Sequence, residues 1–509
     1  MKKLNWFLIN ENYGANLCPY AFHFDADYHG FKKAYGVGIN YQAIGIENGF
    51  LRQAYDLDEY NRMAFFFYNK LCKDKKFAHK SLENIYKTVK EFYDFNKCVL
   101  KTPLNKLSDK QLARLFDKFY QYFFNMSTWS VPFAFTEHGT SLWTDSLTKY
   151  LNTLDIPSKY TSLEVYQTLI SSKKKTYIAK EKEGLLKIAV KIKRSKKLLK
   201  TFKMPVSSIV SFLEKDEKDI LKEIKRHVKK YNWINYGFEG PLLNLEYFIT
   251  AIKDWVVNKD SVKELTQIKN NLKTLESKQK KFIKNLKIDK IHQWMFWVVK
   301  EFGFQKAYRK DFEYHSYYVY EILLKELSRR LQLSVKQGHY LLKNEIVAAL
   351  LKKKKINIDQ LNKRIKCNFY VIIKGKPNLL VGKRAKTFIK QIGSLPVPKG
   401  LKELKGQCAC HGRVIGKAKI IKNKEDYQKF KTNDILVSYA TNPNMVPLMK
   451  KSSAIITDEG GVTCHAAIVS RELGIPCIIG TRFATKIIKD NNLVEVDATR
   501  GIIKILKKK

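Results

Sequence analysis

The stretch from Thr457 to Gly480 constrains the fold most. A run of apolar residues, Ser453 to Thr457, reads as a buried strand and leads into Gly460-Gly461. Thr463, Cys464 and a lone histidine, His465, follow, and then a short amphipathic run that ends at Gly474-Ile-Pro476. This order predicts strand, glycine turn, helix. It puts His465 in the first helical turn, where backbone N–H groups lack intrahelical partners and the helix dipole is positive. An imidazole there sits where an attached phosphate is welcome.

With 509 residues the chain exceeds one ordinary core, and several domains are expected. The formal charge of +47 raises the question of nucleic acid or another polyanion. The excess is diffuse, however: residues 401–509 carry 20 basic and 10 acidic residues, and the remainder is spread along residues 1–400. Nucleic-acid binding is therefore the less favoured reading. Met1 to Glu11 contains an apolar run too short for a signal-peptide core. No stretch approaches the ~20 apolar residues of a membrane span. Eight scattered cysteines in a chain of this size suit a reducing, cytoplasmic setting.

Residues 1–60, rich in Gly, Asn and aromatics, predict loops and short strands. Residues 58–152 read as helical, with Ser108 as an N-cap and Gln111 three residues on. His138, beside a glycine, is expected to be structural. Basic runs at 173–175 and 191–200 read as solvated helix faces. The loop carrying Asn232, Asn235 and Glu239 suits a substrate pocket or a packed connection equally well. Val262, Leu265, Leu272, Leu275, Phe282 and Leu286 predict a long helix, one arm of a hairpin whose other arm spans 291–333. In that second arm Arg309 and tyrosines 314, 317, 318 and 320 suit stacking on a planar ligand, but core packing is the preferred reading. Phe369 to Ile373 is strand-like, and 384–392 is a last helix. Proline and glycine then mark a linker at 396–405. The expected organisation is a mostly helical region, 1–395, then the linker, then an α/β domain at 406–509.

Neutral imidazole is a good nucleophile near pH 7, so a histidine can carry a phosphoryl group. Gly460 and Gly461 would let the backbone approach the phosphate, and Thr463 would add a hydroxyl. Arg471, at i+6 from His465, lies about 120° around an ideal helix and reads as structural support. Cys464 and His465 point about 100° apart, which disfavours a thiol–imidazole catalytic pair. Cys408, Cys410 and His411 lack a fourth ligand nearby, so no metal site is expected.

Gly460 to Gly480 resembles the phosphohistidine signature of phosphoenolpyruvate-utilising enzymes, such as phosphoenolpyruvate synthase, pyruvate phosphate dikinase and the rifampicin phosphotransferases. Gly406 to Gly416, Asp434-Ile-Leu-Val with Asn442-Pro, and Val494 to Gly501 extend the likeness over about residues 404–507. Cys410 and His411 depart from it, replacing what are commonly a serine and a proline. The resemblance implies a largely α-helical N-terminal region followed by a C-terminal α/β swivelling phosphohistidine domain. It also implies that His465 is the phosphorylated residue of a phosphotransferase component, with Gly460, Gly461, Thr463 and Cys464 supporting the phosphate. Neither an ATP-grasp domain nor a phosphoenolpyruvate barrel is evident. ATP or phosphoenolpyruvate and Mg2+ are then expected on a separate ATP-grasp type partner, with a small molecule as phosphate acceptor. The other readings are a non-catalytic scaffold descendant of the family and a basic nucleic-acid binder.

Overall fold

The computed structural model describes residues 4–13, 16–138, 140–237, 240–392, 403–423, 425–442, 445–460 and 464–507. Two units emerge: residues 1–145 with 316–509, and residues 146–315.

The first unit opens with an antiparallel sheet. Strand β1 (Trp6–Tyr13), β2 (Tyr41–Glu47) and β3 (Phe50–Asp56) come from the aromatic, glycine-rich start of the chain. Asn48 and Gly49 join β2 to β3 with φ of 49° and 78°. This left-handed pair is the two-residue turn whose twist matches a hairpin. Strand β4 (Cys367–Ile373) and β5 (Lys376–Val381) complete the order β1-β3-β2-β4-β5. Tyr41 faces Ile373 and Glu47 faces Cys367 across that junction. Ala43, Ala54, Phe369 and Val371 pack on Ala385, Ile389 and Ile392 of the helix Lys383–Ile392. On the opposite face Phe24 stacks on Tyr370, and Gln42 Nε2 donates to the Phe24 carbonyl.

Helices Leu57–Lys73, Lys75–Lys101 and Asp109–Ser130 follow the hairpin. Asp56, Asp74 and Ser108 cap them, Ser108 and Gln111 forming the reciprocal capping box expected from the sequence. The N-terminal region is thus helical around a five-stranded sheet that spans both of its ends.

The second unit is all helix. Ser261–Asn285 and Lys290–Arg330, the latter running past His315 into the first unit, are the two long helices expected from the sequence. The first packs on Tyr177–Lys193 and Ser162–Ile170, where Gln279 Nε2 donates to the Thr168 and Ser171 carbonyls. The lysine runs lie on outer faces, with ion pairs Lys173–Glu276 and Lys191–Glu223. Arg309 is buried against Glu313 at 2.7 Å, and Tyr314 is buried too, so this stretch is core. Trp233, Ile234, Asn235 and Tyr236 are buried as well, a packed connection. Glu239 lies outside the described residues.

The C-terminal α/β region belongs to the first unit. Its strands are β6 (Glu403–Lys405), β7 (Gln407–Cys410), β8 (Arg413–Ile420), β9 (Ile435–Ser438), β10 (Ala454–Thr457), β11 (Cys477–Ile479), β12 (Leu493–Asp497) and β13 (Ile502–Lys507). They order as β6-β13-β12-β8-β9-β10-β11-β7. The sheet begins three residues before the expected domain start, because Glu403–Lys405 pairs with β13. The rest of the expected linker, up to residue 402, lies outside the described residues. Strands β8 to β11 run parallel, and β9 and β10 are buried at every position, as parallel strands covered on both faces must be. Ala418, Ile435, Val437, Ile456, Ile478 and Val496 form the core on one face. Helix His465–Leu473 packs on β7 and β11. Among the described residues no helix is long and apolar enough to cross a membrane.

Candidate functional site

The carboxyl ends of β9, β10 and β11 converge on one end of the α/β region. Open parallel sheets bind ligands at such ends. Backbone bonds stitch the three exits together. Asp458 N donates to the Ser438 carbonyl at 3.1 Å, Glu459 N to Tyr439 at 2.8 Å, and Thr481 N to Thr457 at 3.0 Å.

Beyond β10 the chain turns at Gly460, with φ of 123°. A Cβ there would lie 2.6 Å from Cys464 Sγ, so both the backbone angle and the space demand glycine. Gly461 and Thr463, two expected phosphate-supporting residues, lie outside the described residues. Cys464 is the N-cap of helix His465–Leu473, its Sγ accepting from Ala467 N at 3.4 Å. The thiol is therefore occupied as a cap. His465 is the first helical residue, where the sequence put it.

Thr441, just past β9, holds the imidazole: its Oγ1 is 2.7 Å from His465 Nδ1. If the ring proton sits on Nδ1 and is donated to Thr441, Nε2 keeps its lone pair. Thr441 was not singled out in the sequence. Its signal is positional, since it follows a strand that a parallel α/β reading sets beside the histidine motif.

Two carboxylates flank the site. Asp458 is buried and accepts from Thr481 Oγ1 at 2.9 Å and from Thr485 N at 3.2 Å. Burial pushes its pKa up against the lowering pull of these donors. Glu459 lies beside Tyr439, and burial pushes its carboxyl up to about 7. Arg471 sits further along the helix, its guanidinium near Cys464, Cys410 and Cys477 and beside Glu472, with burial disfavouring its charge. Cys408 Sγ lies 3.6 Å from His411 Nδ1. Among the described residues no group of three or more His, Cys, Asp and Glu is placed to hold a metal ion.

His138 has an unexpected neighbour. It ends a turn anchored by Thr136 and Glu137, and its Nε2 lies 3.9 Å from Glu459 Oε2. Its isolation in the sequence gave no hint of this, because its partner lies across most of the chain.

Residues 430–501 match the sequence profile of the PEP-utilising enzyme, mobile domain. They are a mobile domain of phosphoenolpyruvate-utilising enzymes. Relatives agree. A probable phosphoenolpyruvate synthase of Methanothermobacter thermautotrophicus is 54% identical over 100 residues, 20% of this chain and 15% of its own. One from Archaeoglobus fulgidus is 45% identical over 132 residues, 26% of this chain and 17% of its own. The phosphoenolpyruvate synthase of Pyrococcus furiosus is 54% identical over 100 residues, 20% of this chain and 12% of its own. The chain thus spans less than a fifth of the length of these relatives.

Proposed function

We propose that this chain is a phosphotransferase component that carries a phosphoryl group on His465. The observation that carries the reading is the contact between Thr441 Oγ1 and His465 Nδ1 at a helix start, within a mobile domain of phosphoenolpyruvate-utilising enzymes. In the charging step Nε2 attacks a donor phosphorus. An N–P bond forms, a P–O bond breaks, and the leaving oxygen keeps its electron pair. Thr441 holds the Nδ1 proton throughout. The N-terminal N–H groups of the helix face the oxygens of the new phosphoryl group. In discharge an acceptor oxygen attacks phosphorus, and the N–P electrons return to the ring.

The donor, ATP or phosphoenolpyruvate with Mg2+, is supplied by a separate ATP-grasp type protein, and the acceptor is a small molecule. Residues 1–395 supply the acceptor or docking side. The setting is cytoplasmic.

Incubating the purified chain with labelled ATP or phosphoenolpyruvate and cell extract tests this. The expected result is acid-labile, base-stable label on wild type and none on His465→Ala. If neither donor labels wild type, the carrier reading falls and a scaffold role takes its place.

A second reading rests on one surface. Lys218, Lys222, Lys225, Arg226 and Lys229 line a groove on the second unit with Glu214 and Leu221. Five cations on one helix face suit a polyanion. Salt-dependent retention on heparin, with no label on His465, would favour it.

A further inference from the structure

The carrier chemistry makes no use of the cysteines around β7. One of them, Cys410, is set face to face with another thiol. Cys410 of β7 and Cys477 of β11 are direct partners across the antiparallel junction. Opposed residues of such a pair have Cα atoms about 4.5–5.5 Å apart and side chains on the same face. Disulfides span about 4.4–6.8 Å between Cα atoms, so this pair closes with little backbone movement. The strands are also held together at this point. A Cβ on Gly412, just past Cys410, would lie 2.5 Å from Cγ of Pro476, the residue before Cys477.

The neighbouring thiols are engaged elsewhere. Cys464 caps helix His465–Leu473 through its bond from Ala467 N. Cys408 pairs in register with Ile478 and lies 3.6 Å from His411 Nδ1. Cys477 is 0% exposed, whereas Cys410 is half-buried, so an oxidant meets Cys410 first. Burial pushes both thiols above their ordinary range, and the guanidinium of Arg471 pulls both back down. That cation is the counter-charge a thiolate at Cys410 needs. Helix His465–Leu473 packs on both strands, and its Ser470 bonds to the Cys477 thiol. Strand β7 is the edge of the sheet, with β11 its one neighbour there.

We propose that Cys410 and Cys477 are a redox-sensitive pair, which a hydroperoxide converts into a disulfide that staples edge strand β7 to β11 beneath the helix bearing His465. In the first step the Cys410 thiolate attacks an oxygen of the hydroperoxide. An S–O bond forms, the O–O bond breaks, and the departing oxygen takes up a proton. In the second step Cys477 sulfur attacks Cys410 sulfur. The S–S bond forms, the S–O bond breaks, and hydroxide leaves as water with the Cys477 proton. The two thiols lose two electrons, and the hydroperoxide gains them. Because Cys477 already stands opposite, the second step is intramolecular and outruns further oxidation of Cys410. A dithiol reductant restores both thiols.

Treating the full, unphosphorylated chain with hydrogen peroxide, then blocking the remaining thiols, tests this. Tryptic peptides 406–413 and 472–482 carry the two cysteines. In wild type they are expected to be joined, with loss of two hydrogens that a dithiol reductant restores. Peptide 406–413 also holds Cys408, so Cys408→Ser is expected to keep the join and Cys410→Ser to lose it. Hydrogen exchange at 407–410 is expected to slow several-fold on oxidation of wild type, and to stay unchanged in oxidised Cys410→Ser. Separate peptides in wild type, under conditions that oxidise the exposed Cys98, would overturn the pair. So would a join that survives Cys410→Ser, or a join to peptide 452–471, which carries Cys464. Unchanged exchange at 407–410 in the joined protein would overturn the staple. No readout needs a phosphoryl group, so the thiol pair and the carrier reading fail separately.

Discussion

The two sheets of the first unit are built by opposite rules. In the C-terminal sheet, β8, β9, β10 and β11 follow one another in chain order, and each pairs with the next. In the N-terminal sheet the central junction sets Tyr41 against Ile373, with the whole second unit inserted between. One sheet is local and carries the histidine. The other is closed by the two ends of a long helical excursion. The difference predicts that damage travels differently in each. Phe369→Ala empties a buried position between β4 and helix Lys383–Ile392, at a cost of about 3–5 kcal/mol. Hydrogen exchange should rise a hundredfold or more not only at 367–373 but at 41–47, far away in sequence. Ile456→Ala, at a site of 0% exposure, should cost about 2–5 kcal/mol and raise exchange within 413–507, leaving 41–47 unchanged. Equal spreading from both sites would break the comparison.

A smaller change probes the local sheet at its turn. Gly460→Ala must hold a non-glycine residue at φ of 123° and place a methyl 2.6 Å from Cys464 Sγ. The strain is of order 1–3 kcal/mol. His465 labelling should fall tenfold or more, while melting of the second unit stays put. Undiminished labelling would show that the turn is not held as described.

The same contrast explains what the sequence made legible. The strand Ser453 to Thr457, the glycine turn and the helix at His465 were readable, because each is a local pattern of consecutive residues. Ser108 with Gln111, and the helices at 261–285 and 290–330, were readable for the same reason. Strand β4 was visible as Phe369-Tyr-Val-Ile-Ile, but not its pairing with β2, since no local signal specifies a partner across hundreds of residues. His138 shows the same limit at the level of one side chain. Its chemistry was visible, but Glu459 beside it was not. Thr441 lay between these cases, since the strand before it was legible and only its register against β10 made it the partner of His465.

Thr441→Val keeps the shape of the side chain and removes the hydroxyl. It forfeits one hydrogen bond, about 0.5–1.5 kcal/mol. With Nδ1 no longer held by Thr441, the ring tautomers redistribute and Nε2 spends less time unprotonated. On the carrier reading labelling should slow several-fold, with melting shifted by only a few degrees. Thr441→Ser, which restores the hydroxyl, should recover most of the rate. A valine variant labelled at the wild-type rate would separate Thr441 from the chemistry.

The least effect is expected from Cys464→Ser, and it is the most discriminating for its size. The thiol accepts from Ala467 N at 3.4 Å and so serves as an N-cap. Serine is a preferred cap residue, and its shorter, stronger acceptor suits the same bond. Cys464→Ser should therefore be neutral or slightly stabilising and should label at His465 as wild type does. Cys464→Ala loses the cap and should cost about 0.5–2 kcal/mol, read as a lower melting temperature with labelling reduced only through the loosened helix start. A thiol nucleophile predicts instead that serine at that position is as inactive as alanine. Measured side by side, the two variants show whether the residue before the histidine shapes the helix start or takes part in the chemistry.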